Sequence, residues 1–377
     1  MLIIDRYILR LFTKVALISF ASLTGLYIMI DTAGNFEEFV SYGGRLGGFF
    51  KVIGDYYGPR VFTFFDRING LLPLIAAMFA VTWLQRTNEL TAIMAGGVSK
   101  LRVLAPLIIA TVVVSLLGVA NRELLIPAVR EKLTRNAQDW LGDTPRPLAP
   151  RYDNATGIQL AGKATIAADK RIDHPNFRLP PSLRDFGRQL EADSAVYQES
   201  QDGRLAGYLL DGLSKPSDIS EIPSARFNDE DLILTPLDTD WLKPNQCFVV
   251  SRVSFDRLAA GNAWQQFASL PELIAGLRNP SLNLGADARV EIHKRFIQPV
   301  LDMTLLFLGL PLVLGRNNRH IFIAIGTCLG IVVLFVLVKL VFEWLGANYL
   351  ISPALAAWCP LIVFLPVAVG LSRPLFE

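Results

Sequence analysis

Cysteine, histidine and charge are all scarce in this sequence. Three cysteines among 377 residues cannot build a disulfide framework. Cys328 and Cys359 lie inside long apolar runs and read as packing residues, and Cys247 has no obvious partner. The three histidines, His174, His293 and His320, are too scattered to ligate one metal. Charged residues make up 19% of the chain and apolar ones 52%. Soluble proteins usually run at about 25% and 45–50%, so a purely soluble enzyme and a disordered chain are both disfavoured. Catalytic signatures are missing as well. Gly96-Gly97-Val98-Ser99-Lys100 lacks the G-x-x-x-x-G-K-[ST] spacing that cradles phosphates. There is no G-x-S-x-G elbow and no H-E-x-x-H. Nothing here hydrolyses ATP unaided.

What the chain does have is long apolar sequence at both ends. Residues 130–289 carry 19 basic and 22 acidic side chains, whereas the other 217 residues carry only 17 and 12. A hydrocarbon core about 30 Å thick takes about 20 mostly apolar residues as helix, because lipid offers the backbone no hydrogen-bond partner. Six stretches qualify: 11–30, 61–84, 103–121, 296–315, 321–342 and one within 344–372. Lys14, Asp302 and Lys339 interrupt the first, fourth and fifth, and the second is uncharged from Ile68 onward. No small-x-small site follows the first run, so it is expected to stay as a span.

Six spans put both termini on one side. Basic residues are nearly balanced across the two edges, with Arg316 and Arg319 in the 4–5 loop on the terminal side. The first helix tips the balance, since Arg6, Arg10 and Lys14 precede or begin it and only Arg45 follows within fifteen residues. The expectation is cytoplasmic termini and a large external domain at 130–290.

That domain lacks long helical periodicity. Short runs at 157–161, 195–198, 205–210, 231–234 and 248–255 alternate with many prolines, which predicts a β-sandwich or open barrel. Asn228-Asp229-Glu230-Asp231 has the wrong spacing for an EF-hand loop and reads as a solvated turn. A short amphipathic helix over about 270–277 is expected to return the chain to the membrane.

Two features carry functional information. The segment 85–100 lies between spans two and three on the terminal side. Leu90, Ile93 and Met94 follow i, i+3, i+4, with Glu89 on the first turn and Gly96-Gly97 closing the helix. Such a helix either inserts into a groove on a partner or lies among headgroups. The second feature is the basic set Arg60, Arg67, Arg122, Lys294, Arg295 and Lys339, placed near the outer helix ends by counting about 1.5 Å per residue. Ionisable groups at membrane depth default to functional hypotheses. Local pairs explain some of them: Asp66 adjoins Arg67, Glu123 adjoins Arg122, and Glu343 follows Lys339 by four. As a set, they point to an anionic lipid headgroup.

The order of several motifs resembles the LptF/LptG lipopolysaccharide-export permeases. They are Ile4-Asp5-Arg6-Tyr7, Ile30-Asp31, Asn35-Phe36-Glu37-Glu38-Phe39, Leu72-Pro73, Arg86-x-x-Glu89-Leu90 through Gly96-Gly97-Val98-Ser99, and Asn121-x-Glu123 to Pro127. Towards the C-terminus come Glu291-x-His293-x-Arg295-x-x-x-Pro299, Leu310-Pro311 and Ser352-Pro353-Ala354-x-Ala356-Ala357-Trp358-x-Pro360. In the middle domain Phe177, Leu190-x-Ala192 and Tyr208-Leu209-Leu210 are similar to the family's pattern, within Pro-rich surroundings.

The resemblance implies a polytopic α-helical membrane protein of six transmembrane helices, with a periplasmic all-β, jellyroll-like domain between helices three and four. The domains would be 1–129, 130–290 and 291–377. It implies a cytoplasmic LptB-like ABC ATPase dimer that uses the ATP, a second permease subunit of the same family, and a periplasmic LptC/LptA-like bridge. Residues 85–100 would be the coupling helix, with Arg86, Glu89, Leu90, Ile93 and Met94 facing the ATPase. Spans one and five would form a lateral gate for the lipid. Asp31 stands where some relatives carry lysines, so their lipid contacts do not transfer.

The reading is therefore a permease subunit of the inner membrane that extracts lipopolysaccharide or a similar anionic glycolipid. It is not an enzyme, binds no cofactor or metal itself and has no nucleic-acid partner. The alternatives are an ion-coupled secondary transporter using Asp302 and Lys339, and a non-transporting transmembrane adaptor.

Overall fold

The computed structural model describes residues 3–135, 137–139, 144–200, 205–227, 230–261, 263–314 and 321–376. Asn228, Asp229, Arg316, Arg319 and His320 lie outside the described residues. The chain divides into two compact units, Met1–Val129 with Gly285–Glu377, and Arg130–Leu284.

The first unit is helical: α1 (Ile3–Gly34), α2 (Phe36–Leu46), α3 (Phe49–Ile68), α4 (Leu71–Arg86), α5 (Glu89–Ala95), α6 (Lys100–Ala128), α7 (Ala286–Leu314), α8 (Ile321–Ala347) and α9 (Pro353–Phe376). Among the described residues five are long and apolar enough to cross a membrane, and α3 with α4 makes a sixth if the bent pair counts as one. The second apolar stretch, expected at 61–84, is covered by two helices rather than one straight one. α3 and α4 meet at 66° across Asn69-Gly70. Pro73 gives the physical reason, because it has no N–H to donate to the Asn69 carbonyl four residues back and its ring crowds that oxygen.

The apolar residues of this unit sort by exposure. Ile8, Phe12 and Ala16 of α1 are buried, while Leu17, Ile18, Leu26 and Met29 are exposed. On α4 the small residues Ala76, Ala77 and Ala80 are fully buried and let neighbouring helices approach closely. α8 exposes Leu329, Val333, Leu337, Leu340 and Trp344, an apolar surface suited to lipid or to another helix.

The second unit is built on one antiparallel sheet of ten strands: β1 (Arg146–Pro147), β2 (Arg151–Asp153), β3 (Ile158–Leu160), β4 (Gly162–Ile166), β5 (Arg171–Arg178), β6 (Gln189–Gln198), β7 (Gly207–Lys215), β8 (Ala225–Phe227), β9 (Glu230–Leu234) and β10 (Gln246–Val250). The order along the sheet is β1-β4-β5-β6-β7-β10-β9-β8, with β2 on β3 and β3 on β5. Period-two alternation sends Tyr208, Leu210, Cys247 and Val249 into the main core. Leu209, Phe248 and Val250 meet Leu242 and Trp241 on the other face. Burial pushes the Cys247 thiol up to about 12, consistent with a packing residue.

The run read at 248–255 ends as a strand at Val250, and Phe255 instead opens a short helix, Phe255–Ala260. Ser254 in extended backbone before an apolar turn is a helix-start signal that a strand reading passes over. The helix near 270–277 is Leu270–Arg278. Ser269 and Glu272 form its capping box, satisfying backbone donors that a helix start leaves open.

Candidate functional site

The segment that follows α4 turns sharply because Asn88 adopts the left-handed conformation, with φ of 60°. α5 then runs for two turns and closes on Gly97, whose φ of +80° favours glycine. Leu90 is buried in the core of the membrane unit, and Ile93 packs against that core half-buried. Met94 is exposed, as are Thr91, Ala92 and Ala95. The expected apolar stripe is thus divided: two residues anchor α5 and the third joins an outward face. Glu89 is half-buried and Arg86 exposed. The first turns of α1 also contact this region. The Tyr7 hydroxyl hydrogen-bonds the Glu89 carboxylate, and Arg102 at the start of α6 donates to Asp5 across 2.9 Å.

The basic set falls into three groups. Arg60 lies apart, stacked 3.4 Å over the Tyr56 ring and donating to the Tyr56 carbonyl at 2.8 Å. It belongs to an aromatic group in which the Tyr57 hydroxyl donates to Asp31 at 2.7 Å. Arg67 is exposed and makes no hydrogen bond or ion pair among the described residues. It stands at a cavity of about 420 Å³ whose lining also includes Arg122, Lys294, Arg295 and Lys339.

Inside that cavity most of the charges are paired, but not as adjacency in sequence suggests. A π-helical turn at Asn121–Leu125 in α6 places Arg122 against Glu291 of α7 at 2.5 Å. Asp66 pairs with Arg122 at 3.8 Å, rather than with its neighbour Arg67. Arg295 reaches Glu123 and Glu291, both at 3.1 Å. Lys294 bridges Glu291 and Glu343 at 3.3 Å each. Lys339, four residues before Glu343, bonds instead to the Gln298 oxygen at 2.9 Å. Gln298 in turn donates to Asp302 at 2.6 Å, and Ser115 of α6 donates to the same carboxylate at 2.8 Å.

Sequence reasoning missed Ser115, Gln298 and Asn69 as members of this cluster and treated Glu291 only as part of a motif. A signal was available. Glu291, Lys294, Arg295, Gln298 and Asp302 fall at i, i+3, i+4, i+7 and i+11, a polar stripe on one face of an otherwise largely apolar helix. Among the described residues no group of three or more His, Cys, Asp or Glu side chains could hold a metal ion.

The chain matches no curated protein. One family accounts for nearly its whole length, the apolar helices and the intervening β-sheet unit together. Over residues 6–374 it matches the family described as lipopolysaccharide export system permease LptF/LptG, and to that family of membrane transport components the chain belongs.

Proposed function

We propose that the chain is one transmembrane half of an ATP-driven exporter that draws lipopolysaccharide, or a similar anionic glycolipid, out of the inner membrane. The observation that carries this reading is α5, within a chain of the LptF/LptG family. It is a short helix pinned to the core by Leu90, with an outward face of Thr91, Met94 and Ala95 beside Glu89. An LptB-like ATPase dimer would dock there, on the cytoplasmic side with both termini, and would bind and hydrolyse the ATP. The bent α3–α4 pair would count as the second of six spans. The 130–284 unit would be the periplasmic jellyroll-like domain and would hand lipid to an LptC/LptA-like bridge. A second permease of the family would complete the membrane part.

In the mechanism, closure of the ATPase dimer pushes on α5, and α5 passes the movement to the helix bundle through Leu90 and Ile93. The cavity between the permease halves narrows and expels the lipid. Arg60, Arg67, Arg122, Lys294, Arg295 and Lys339 are the proposed headgroup contacts. Of these, the exposed Arg67 has the least committed charge. The pairing of Arg122, Lys294 and Arg295 with acids fits a scaffold that holds the site's shape.

The test is affinity capture of the tagged chain from native membranes, followed by protein and lipid mass spectrometry. An ATPase, a second permease and an anionic glycolipid are expected together. An ion-coupled transporter using Asp302 and Lys339 is the second reading, favoured by the helix break beside Asp302. Capture of the chain without an ATPase, and transport driven by an ion gradient, would select it.

A further inference from the structure

Two charged groups inside the cavity beside Arg67 stand apart from the others. Glu123, Glu291, Glu343 and Asp66 each contact a cation directly, through Arg122, Lys294 or Arg295. Asp302, 3% exposed and near the middle of α7, contacts none within 4.0 Å among the described residues. Lys339 of α8 contacts no carboxylate within that distance either. Gln298 stands between them, accepting from the ammonium and donating to the carboxylate. A charge at this depth is costly to leave uncompensated.

The surroundings of Asp302 are rich in oxygen. Asn69, 6% exposed and lining the same cavity, has a side-chain oxygen with no hydrogen-bond partner among the described residues. Lys339 has three N–H groups and one bond to account for them. The backbone makes room for this arrangement. A Cβ on Gly70 would lie 2.6 Å from the Asp302 Oδ1, and one on Gly118 would overlap the Asn69 amide. Glycine at the break between α3 and α4 lets the carboxylate rest directly on the chain there.

We infer that Asp302, Gln298, Ser115 and Asn69 outline a binding site for one small monovalent cation, and that the Lys339 ammonium, bonded to Gln298 at its edge, is the tethered counter-cation serving it. The site clips α8 to α6, α7 and the α3–α4 break. Because the ligand belongs to α8, occupancy of the site and docking of that helix are one equilibrium, and α8 leaves only by stripping Asp302 of its counter-charge. A free primary ammonium ion carries the same charge and the same donors, so it serves in place of the side chain once that is shortened. The inference takes Lys339 out of the proposed headgroup set and otherwise stands on the cavity alone.

The experiment uses the full chain purified in detergent, with thermal unfolding midpoints read in methylammonium chloride and, at equal ionic strength, in choline chloride. Lys339→Ala is expected to lower the midpoint. Methylammonium should restore it saturably, whereas choline, which has no N–H and is too bulky, should not. Asp302→Asn combined with Lys339→Ala should remove the response to methylammonium. Equal effects of the two salts on Lys339→Ala, or an undiminished response in the double variant, would overturn the site. If Lys339→Ala does not accumulate, membrane yields of Lys339→Met and of Asp302→Asn with Lys339→Met replace the midpoints. Recovery of yield on removing the second charge supports the site, and equal loss in both overturns it.

Discussion

The guanidinium of Arg295 donates to the Glu123 carboxylate across 3.1 Å, joining α7 to the π-helical turn of α6. The Arg295 side chain is 3% exposed and Glu123 22%, so removing the arginine strands acids that are largely out of water. Arg295→Met is expected to cost about 3 kcal/mol, the lower end of the range for breaking a buried pair. Adding Glu123→Gln should recover part of that loss. Reversible unfolding of the two variants and the parent in mixed micelles measures the difference.

Divided roles within α5 give a second prediction. Leu90 is buried in the membrane unit's core, so Leu90→Ala should destabilise the chain by about 2 kcal/mol, the low end for such truncations. Met94→Glu touches the outward side and should leave the unfolding midpoint nearly unchanged, while co-purification of the ATPase falls. Glu89→Ala should lose the ATPase too, and about 1 kcal/mol of stability with its Tyr7 hydrogen bond. An intact complex with normal transport in Glu89→Ala would remove that residue from the coupling role.

Much of this was legible from the residues, for reasons that differ by element. The long helices announce themselves because lipid demands apolar runs of fixed length, and the return helix because Ser269 and Glu272 cap it. The break at Asn69-Gly70 was not read, since an uncharged run looks continuous when Pro73 is counted only as apolar. The charges were found but wrongly partnered. Sequence adjacency suggested Asp66 with Arg67 and Lys339 with Glu343. Helix packing instead set Asp66 on Arg122, and Glu343 on Lys294. Long-range pairs of this kind depend on how helices face one another, which no local pattern encodes.

The capping box of the β-sheet unit predicts a pH effect. Burial works against the Glu272 carboxylate, but the Ser269 backbone N–H and the Arg130 guanidinium outweigh it and hold its pKa below the usual range. A lowered folded pKa contributes stability above the unfolded value of about 4.3 and loses it as pH falls through the folded value. Glu272→Gln should therefore be less stable than the parent at neutral pH, by roughly 1 kcal/mol for an exposed pair and a cap. The gap should close as the pH drops below 4.3. A gap independent of pH, in unfolding followed by near-ultraviolet circular dichroism, would mean that the carboxylate's charge is not what stabilises the cap.

Arg67 provides the cleanest test of headgroup recognition. It is exposed at the cavity and makes no hydrogen bond or ion pair among the described residues. Reversing its charge should therefore disturb stability by no more than about 0.5 kcal/mol, as at an ordinary surface position. Arg122 and Arg295 differ, because each is paired with acids and a glutamate there would repel Glu291. Arg67→Glu is thus expected to keep its unfolding midpoint and to lose co-purified anionic lipid. Reversal of Arg67, Arg122 and Arg295 together should lose both. Lipid phosphate per mole of protein, measured after identical detergent washes, separates the cases. Undiminished lipid in the triple variant would show that the charges of this cavity serve the fold alone.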